Sequence, residues 1–317
     1  MARRVDHLVI IASRVGVHDL PSNVSVFSLG KEQGRGRIGR IWKFWELFSR
    51  HYAACDAVLF HQIPEFVIAA SPFLFSLKRK TGLWYAHGSM PRILRFAERM
   101  IDFVFTSSLD GFRLPSKKVI VTGQAINTEL FVPVAAPRSD GTIRLITVGR
   151  ISPVKNYDTI LRGCAIGSRT WKFPWRLAIV GGPLTDEDLS YEIRINRFVA
   201  ERGLVPYVEF LGPKPYEEIP ALLQSHDLFV NLSGTGSLDK AVFEAMCSGL
   251  SVLTSNEAYR NILPRRYFLS DATPEAFARR VAMLADEKRP NERLRGIVVK
   301  HHSLRETVGR IAGQLAL

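Results

Sequence analysis

The segment IRLITVGRISPVKN, residues 143–156, decides the fold. Its first six residues, Ile143–Val148, are rich in β-branched and aliphatic side chains and read as a strand buried on both faces. Gly149, Arg150 and Lys155 follow at the strand's C-terminal end, before an amphipathic stretch that begins near Tyr157. Two cations at a strand end beside a helix N-terminus form an anion site suited to a diphosphate. Two later units repeat the theme. Residues 176–180 run into Gly181 and Gly182, where the missing side chains permit close backbone approach to a ligand. Residues 228–232 run into SGTGSLDKAVFEAM, residues 233–246, a Gly/Ser/Thr loop feeding a helix whose first N–H groups and dipole point at whatever sits there. Glu244, on that helix, is placed to accept hydrogen bonds from ribose hydroxyls. Each loop alone also fits a plain strand-to-helix turn. Three on one sheet edge, all glycine-rich or cationic, argue for a ligand.

Working outward, short apolar runs alternate with amphipathic stretches along the whole chain. Strands are predicted at 8–12, 24–29, 57–61, 82–87, 103–107 and 119–122, and again at 143–148, 176–180, 208–211, 228–232, 251–254 and 267–269. Twelve such strands exceed one ordinary doubly wound sheet and predict an α/β protein with two parallel-sheet domains and ligands at strand C-termini. The stretch 132–141, rich in Pro, Ala and Gly, is the linker candidate. It separates a domain at 1–135 from one at 141–317, whose last helix is expected to pack back on the first. Gly34, Gly36 and Gly39 match G-x-G-x-x-G, but the next strand ends in His61-Gln62, without the acidic residue that would grip a dinucleotide ribose.

At 317 residues and 46% hydrophobic content the chain has ample core-forming surface. No apolar run approaches the length of a membrane span. Arg3, Arg4 and the run 8–12 imitate a signal peptide, but too briefly, and a first strand is the better reading. Cys55, Cys164 and Cys247 are far apart, support neither a disulfide framework nor a zinc site, and read as reduced thiols of a cytoplasmic protein. The net charge is +13, and residues 31–50 carry six Lys/Arg against two Glu, interleaved with Trp42, Phe44, Trp45, Leu47 and Phe48. Arg35–Arg50 therefore suits an anionic membrane surface or a phosphorylated acceptor, although the same pattern fits an amphipathic helix with its aromatics in the core. No nucleic-acid recognition motif accompanies the charge.

Gly149-Arg150 with Lys155, then VGG at 180–182, VEFLG at 208–212 and EAMCSGLSV at 244–252, in this order and spacing, resemble glycosyltransferase family 4. The resemblance spans residues from about Trp84 to the C-terminus. It implies the GT-B fold, two Rossmann-like domains facing across a cleft, and a retaining hexosyltransferase that uses a UDP-, GDP- or ADP-sugar without a cofactor or an essential metal. Arg150 and Lys155 would hold the donor diphosphate and stabilise charge on it as it departs. Gly149, Gly181, Gly182, Gly236, Ser237, Leu238 and Lys240 would complete the donor site, with Glu244 on the nucleotide ribose. His87, in WYAHG at 84–88, resembles the N-domain histidine that faces the donor sugar.

Two departures stand out. The first glutamate of the family's paired motif falls at Gly236, which leaves sugar contacts to the loop amides of Ser237 and Leu238, with Asp239 or Lys240 as further candidates. An initial strand–loop–helix unit of about 40 residues is expected to be missing ahead of residues 5–12. The implied acceptor is a hydroxyl, lipid-linked or part of a cell-envelope polysaccharide, with the enzyme peripheral on the inner face of the membrane. Alternatives are a sugar-nucleotide epimerase or phosphorylase of the same fold, and a degenerate, non-catalytic domain that binds a nucleotide-sugar or a partner.

Overall fold

The computed structural model describes residues 1–134 and 140–316. The chain forms two compact units: Met1–Gly123 together with the segment from Arg305 onward, and Gln124–Leu304.

The first unit contains β1 (Leu8–Ala12), β2 (Val24–Ser28), α1 (Arg37–Tyr52), β3 (Ala57–His61), α2 (Pro64–Leu74), β4 (Lys80–Trp84), α3 (Arg92–Met100), β5 (Phe103–Thr106) and β6 (Val119–Val121). Every ladder is parallel. β3, β4, β5 and β6 form one sheet in that order, whereas β1 and β2 pair only with each other among the described residues. The contrast shows in burial. Residues 81–84 of β4 are buried, while all ten residues of β1 and β2 are half-exposed. α1 has an apolar stripe at helical spacing, Phe44, Leu47, Phe48 and Tyr52, which enters the core with Phe60 and Val67.

The second unit contains β7 (Ile143–Val148), α4 (Tyr157–Thr170), β8 (Trp175–Val180), α5 (Asp186–Glu201), β9 (Val208–Gly212), α6 (Ile219–Gln224), β10 (Leu228–Asn231), α7 (Lys240–Cys247), β11 (Ser251–Thr254), α8 (Pro274–Leu284) and α9 (Glu292–His301). Its five parallel strands run β11-β10-β7-β8-β9. The chain steps outward from β7 through β8 to β9, then crosses to build β10 and β11 on the other side. This doubly wound order places its switch point between the C-terminal ends of β7 and β10. α5 starts where it does because Thr185 accepts a hydrogen bond from the Asp188 N–H, with three carboxylates in the first turn to complement the helix dipole. α10 (Leu304–Leu315) lies largely in the first unit, where Ile311 and Leu315 pack with Trp84 and Phe105 and Thr307 donates to the Thr122 carbonyl.

Eleven of the twelve predicted strands are present, with ends shifted by up to three residues. The twelfth, 267–269, is not a strand. Pro264 initiates a 3-10 turn at Arg265–Tyr267, and only one bridge, Thr254 to Phe268, follows. Residues 124–134, read from sequence as the end of the first domain, pack in the second unit: Ile126 bridges Ser303 and Phe131 is fully buried. Half of the expected linker at 132–141, residues 135–139, lies outside the described residues.

α4 and α8 meet at Gly163. Alanine in place of a mid-helix glycine ordinarily stabilises by about 1 kcal/mol. Here an added methyl group would lie 2.4 Å from Phe277 Cδ1 and 3.0 Å from the Pro274 carbonyl. Gly163→Ala should therefore destabilise the protein by roughly 1–3 kcal/mol, read as a lowered denaturant midpoint. An unchanged midpoint would show that the two helices separate without cost.

Candidate functional site

The residues singled out in the second half of the sequence gather at the β7/β10 switch point. Two glycines fix how the strand ends meet. Gly149 and Gly181 have φ of 153° and 137°, and a Cβ at Gly181 would stand 1.9 Å from the Gly149 carbonyl oxygen. No other residue fits there. Contact within the protein by itself requires glycine at 181. Gly182 accepts from the Ile151 N–H at 3.0 Å, holding the segment after Arg150 against the end of β8.

From Gly149 the chain enters a 3-10 turn, Pro153–Lys155, and passes through Asn156 in the left-handed region (φ 54°) into α4. The loop after β10 is tied to this turn by the Gly234 N–H, which donates to the Val154 carbonyl at 3.0 Å. The same loop is held by its carbonyls. Ser237 accepts from Asn256 Nδ2 at 2.7 Å and Leu238 from Gln124 Nε2 at 2.9 Å. Gly236 lies at φ 65°, in the left-handed region that a β-carbon disfavours.

Both predicted cations are present, and each meets a carboxylate. Lys155 Nζ contacts both oxygens of Asp239 at 2.9 Å, with both side chains largely buried. Arg150 Nε stands 3.7 Å from Asp188 Oδ2, a looser pair whose arginine is exposed and whose aspartate is buried. Lys240 is exposed on the first turn of α7. Glu244 is buried on the same helix and accepts a hydrogen bond from the Tyr216 hydroxyl at 3.1 Å. Burial raises the Glu244 pKa above the usual carboxylate range, against the opposing effects of the Tyr216 hydrogen bond and Lys240.

Four residues that complete this cluster were not assigned to it from sequence: Asn231, Asp188, Tyr216 and, as the partner of Lys155, Asp239. Asn231 is the legible one, being a polar residue that ends an otherwise apolar strand. His87 belongs to the first unit, three residues beyond β4. It is exposed, its backbone N–H donates to the Gly111 carbonyl and its Nδ1 accepts from the Ser89 N–H at 3.1 Å.

A family model described as glycosyl transferases group 1 matches residues 133–296, slightly more than half of the chain and all of the switch-point cluster. The chain belongs to this family. Among curated relatives, a D-inositol 3-phosphate glycosyltransferase of Rhodococcus erythropolis is 31% identical over 117 residues, 37% of this chain and 26% of its own length. The putative colanic acid biosynthesis glycosyltransferase WcaL of Escherichia coli is 23% identical over 162 residues, 49% of this chain and 38% of its own. These matches therefore span well under half of each relative. Solved structures share the GT-B fold at lower identity. They include HepE of Anabaena in complex with UDP, with a TM-score of 0.74, 14% identity and coverage of 92% of this chain and 86% of that one. Sucrose-phosphate synthase from Thermosynechococcus elongatus gives 0.73 and 17%, over 98% and 89%.

In this member of the family the state of Glu244 is open to measurement. Because its folded pKa is raised, the native state keeps a proton that the unfolded chain has already lost. The stability held by the neutral form is present at low pH and declines as pH rises from the ordinary carboxylate range through the folded value. Glu244→Gln, neutral throughout and still able to accept from Tyr216, should melt at higher temperature than the wild type near neutral pH. The gap should close toward about pH 4. Melting curves across that range check it, and a pH-independent gap would remove burial as the cause.

Proposed function

We propose that the chain transfers a sugar from a nucleoside-diphosphate donor to a hydroxyl acceptor, with retention of anomeric configuration. The observation that carries this reading is the position of Arg150, Lys155 and Glu244 at the switch point, inside the region matched by the family model. Arg150 and Lys155 bind the diphosphate and act most strongly as charge develops on it in the transition state, which is how such groups raise rate as well as affinity. Glu244 accepts from ribose hydroxyls in place of Tyr216. The departing phosphate takes the acceptor proton on the face from which it leaves.

Alanine at Arg150 or Lys155 should lower kcat/KM for donor hydrolysis or transfer by about 10–1,000-fold and reduce the thermal shift produced by UDP, GDP or ADP. Wild-type turnover in both variants would sink the assignment. A second reading, donor binding without turnover, is favoured by the carboxylate partners of both cations and by Gly236. UDP binding with no donor hydrolysis would select it.

The relatives named for colanic acid and amylovoran biosynthesis support an envelope-polysaccharide or lipid-linked acceptor. Helix α1 supports access to it from a membrane surface. While Phe44, Leu47 and Phe48 enter the core, Ile38 (75% exposed), Ile41 and Trp42 (65%) stand uncovered on its first turns, beside Arg35, Arg37, Arg40 and Lys43. Guanidinium groups flanking exposed aliphatic and indole side chains fit an anionic interface. Among the described residues no helix is long and apolar enough to cross a membrane. The protein should co-sediment with vesicles containing phosphatidylglycerol, less so as salt is raised. Exchange of Arg35, Arg37, Arg40 and Lys43 for Glu should abolish this; unchanged co-sedimentation would refute the surface.

A further inference from the structure

Asp239 occupies the N-cap position of α7, where an aspartate ordinarily accepts a hydrogen bond from its own helix's first-turn N–H groups. It makes no such cap. Its two carboxylate oxygens instead hold Lys155 Nζ at 2.9 Å each, and Oδ2 also accepts from Asn231 Nδ2 at 3.0 Å. The supports of this arrangement are themselves buried. Asn231 Oδ1 accepts from the Thr254 hydroxyl at 3.2 Å, and the Asp239 carbonyl accepts from the fully buried Tyr259 hydroxyl at 2.6 Å. The backbone of residue 239 is fixed while its side chain rests on the ammonium of Lys155 and leaves the cap of α7 unfilled.

We propose that Asp239 is a built-in competitor for the donor diphosphate and sets the affinity of this site: Lys155 passes from the Asp239 carboxylate to the incoming phosphate oxygens. The proposal rests on the reading that Lys155 binds the diphosphate. A diphosphate brings negative charge to a site whose two nearest cations already have carboxylate partners, Asp239 for Lys155 and Asp188 for Arg150. Binding therefore requires exchange at Lys155, where the resident pair is close, chelated and largely buried. Arg150, 44% exposed and 3.7 Å from its partner, is freer to move. When Lys155 leaves, the Asp239 carboxylate can turn to the side-chain cap that α7 lacks. Asp239 thus discriminates by charge: a ligand with a single weak anionic group does not displace it, and a diphosphate does.

Titration calorimetry with UDP on the wild type, Asp239→Asn, Lys155→Ala and the double variant tests this. Asp239→Asn should tighten UDP roughly tenfold, the scale of coupling between close charges at a binding site. The gain should vanish in the Lys155→Ala background, where there is no ammonium to release. Asp239→Ser, which keeps a capping oxygen and lacks the charge, should tighten UDP in the same way and guards against a folding defect in the asparagine variant. If Lys155→Ala weakens UDP but both Asp239 variants bind it no better than the wild type, Asp239 only positions the lysine and the proposal fails alone. If Lys155→Ala leaves UDP binding unchanged, the diphosphate assignment fails and the proposal falls with it.

Discussion

The carbonyl of Gly149 passes so close to Gly181 that no β-carbon fits between them, and the geometry of the switch point follows from that contact. It locks the ends of β7 and β8 together, so Arg150 leaves the sheet at a fixed point. The Ile151 N–H then bonds to Gly182, and the chain turns through Pro153–Lys155. The bond from Gly234 to Val154 brings in the loop after β10. Lys155 and Asp239, 84 residues apart in sequence, meet because β7 has neighbours from both halves of the doubly wound sheet. A parallel sheet with one switch point gathers its loops at one edge; the glycine contact determines which atoms face each other there.

The fold was legible because burial on both faces leaves a plain mark in sequence. Strands such as Ile143–Val148 and Ser251–Thr254 are found to the residue. The exception at 267–269 has a local cause. An aromatic–aliphatic run looks like a strand, but Pro264 sets up a 3-10 turn and only Phe268 bridges to β11. Residues 124–134 pack in the second unit for a reason that composition does not carry. Composition marks a Pro- and Ala-rich stretch, whereas Ile126 and Phe131 reveal their allegiance only by the core they enter.

At the site, residue types were legible and pairings were not. Periodicity and spacing say that Arg150 and Lys155 stand at a strand end, but nothing local says that Asp188 and Asp239 stand opposite them. The glycines carry the same lesson. A glycine after a strand is equally required by a ligand and by a neighbouring backbone, and at Gly181 the neighbour is Gly149. On α1, likewise, the pattern that mixes charge with aromatics divides once the helix is placed: Phe44, Leu47 and Phe48 go to the core and Trp42 stays outside.

The charge of the β10 loop explains why the departure at Gly236 is more than a missing contact. Residues 233–239, SGTGSLD, contain one carboxylate, and it stands at 239 rather than 236. At φ 65° a side chain at 236 is strained, so the loop in this conformation does not readily take a glutamate there. The carboxylate at 239 sits where the backbone is held by Tyr259 and where Lys155 and Asn231 can satisfy it. The carboxylate at 239 is turned toward the lysine. The loop has the same formal charge either way, but at 239 that charge acts on Lys155 itself. The departure at Gly236 and the Lys155–Asp239 pair therefore belong to one arrangement of one loop.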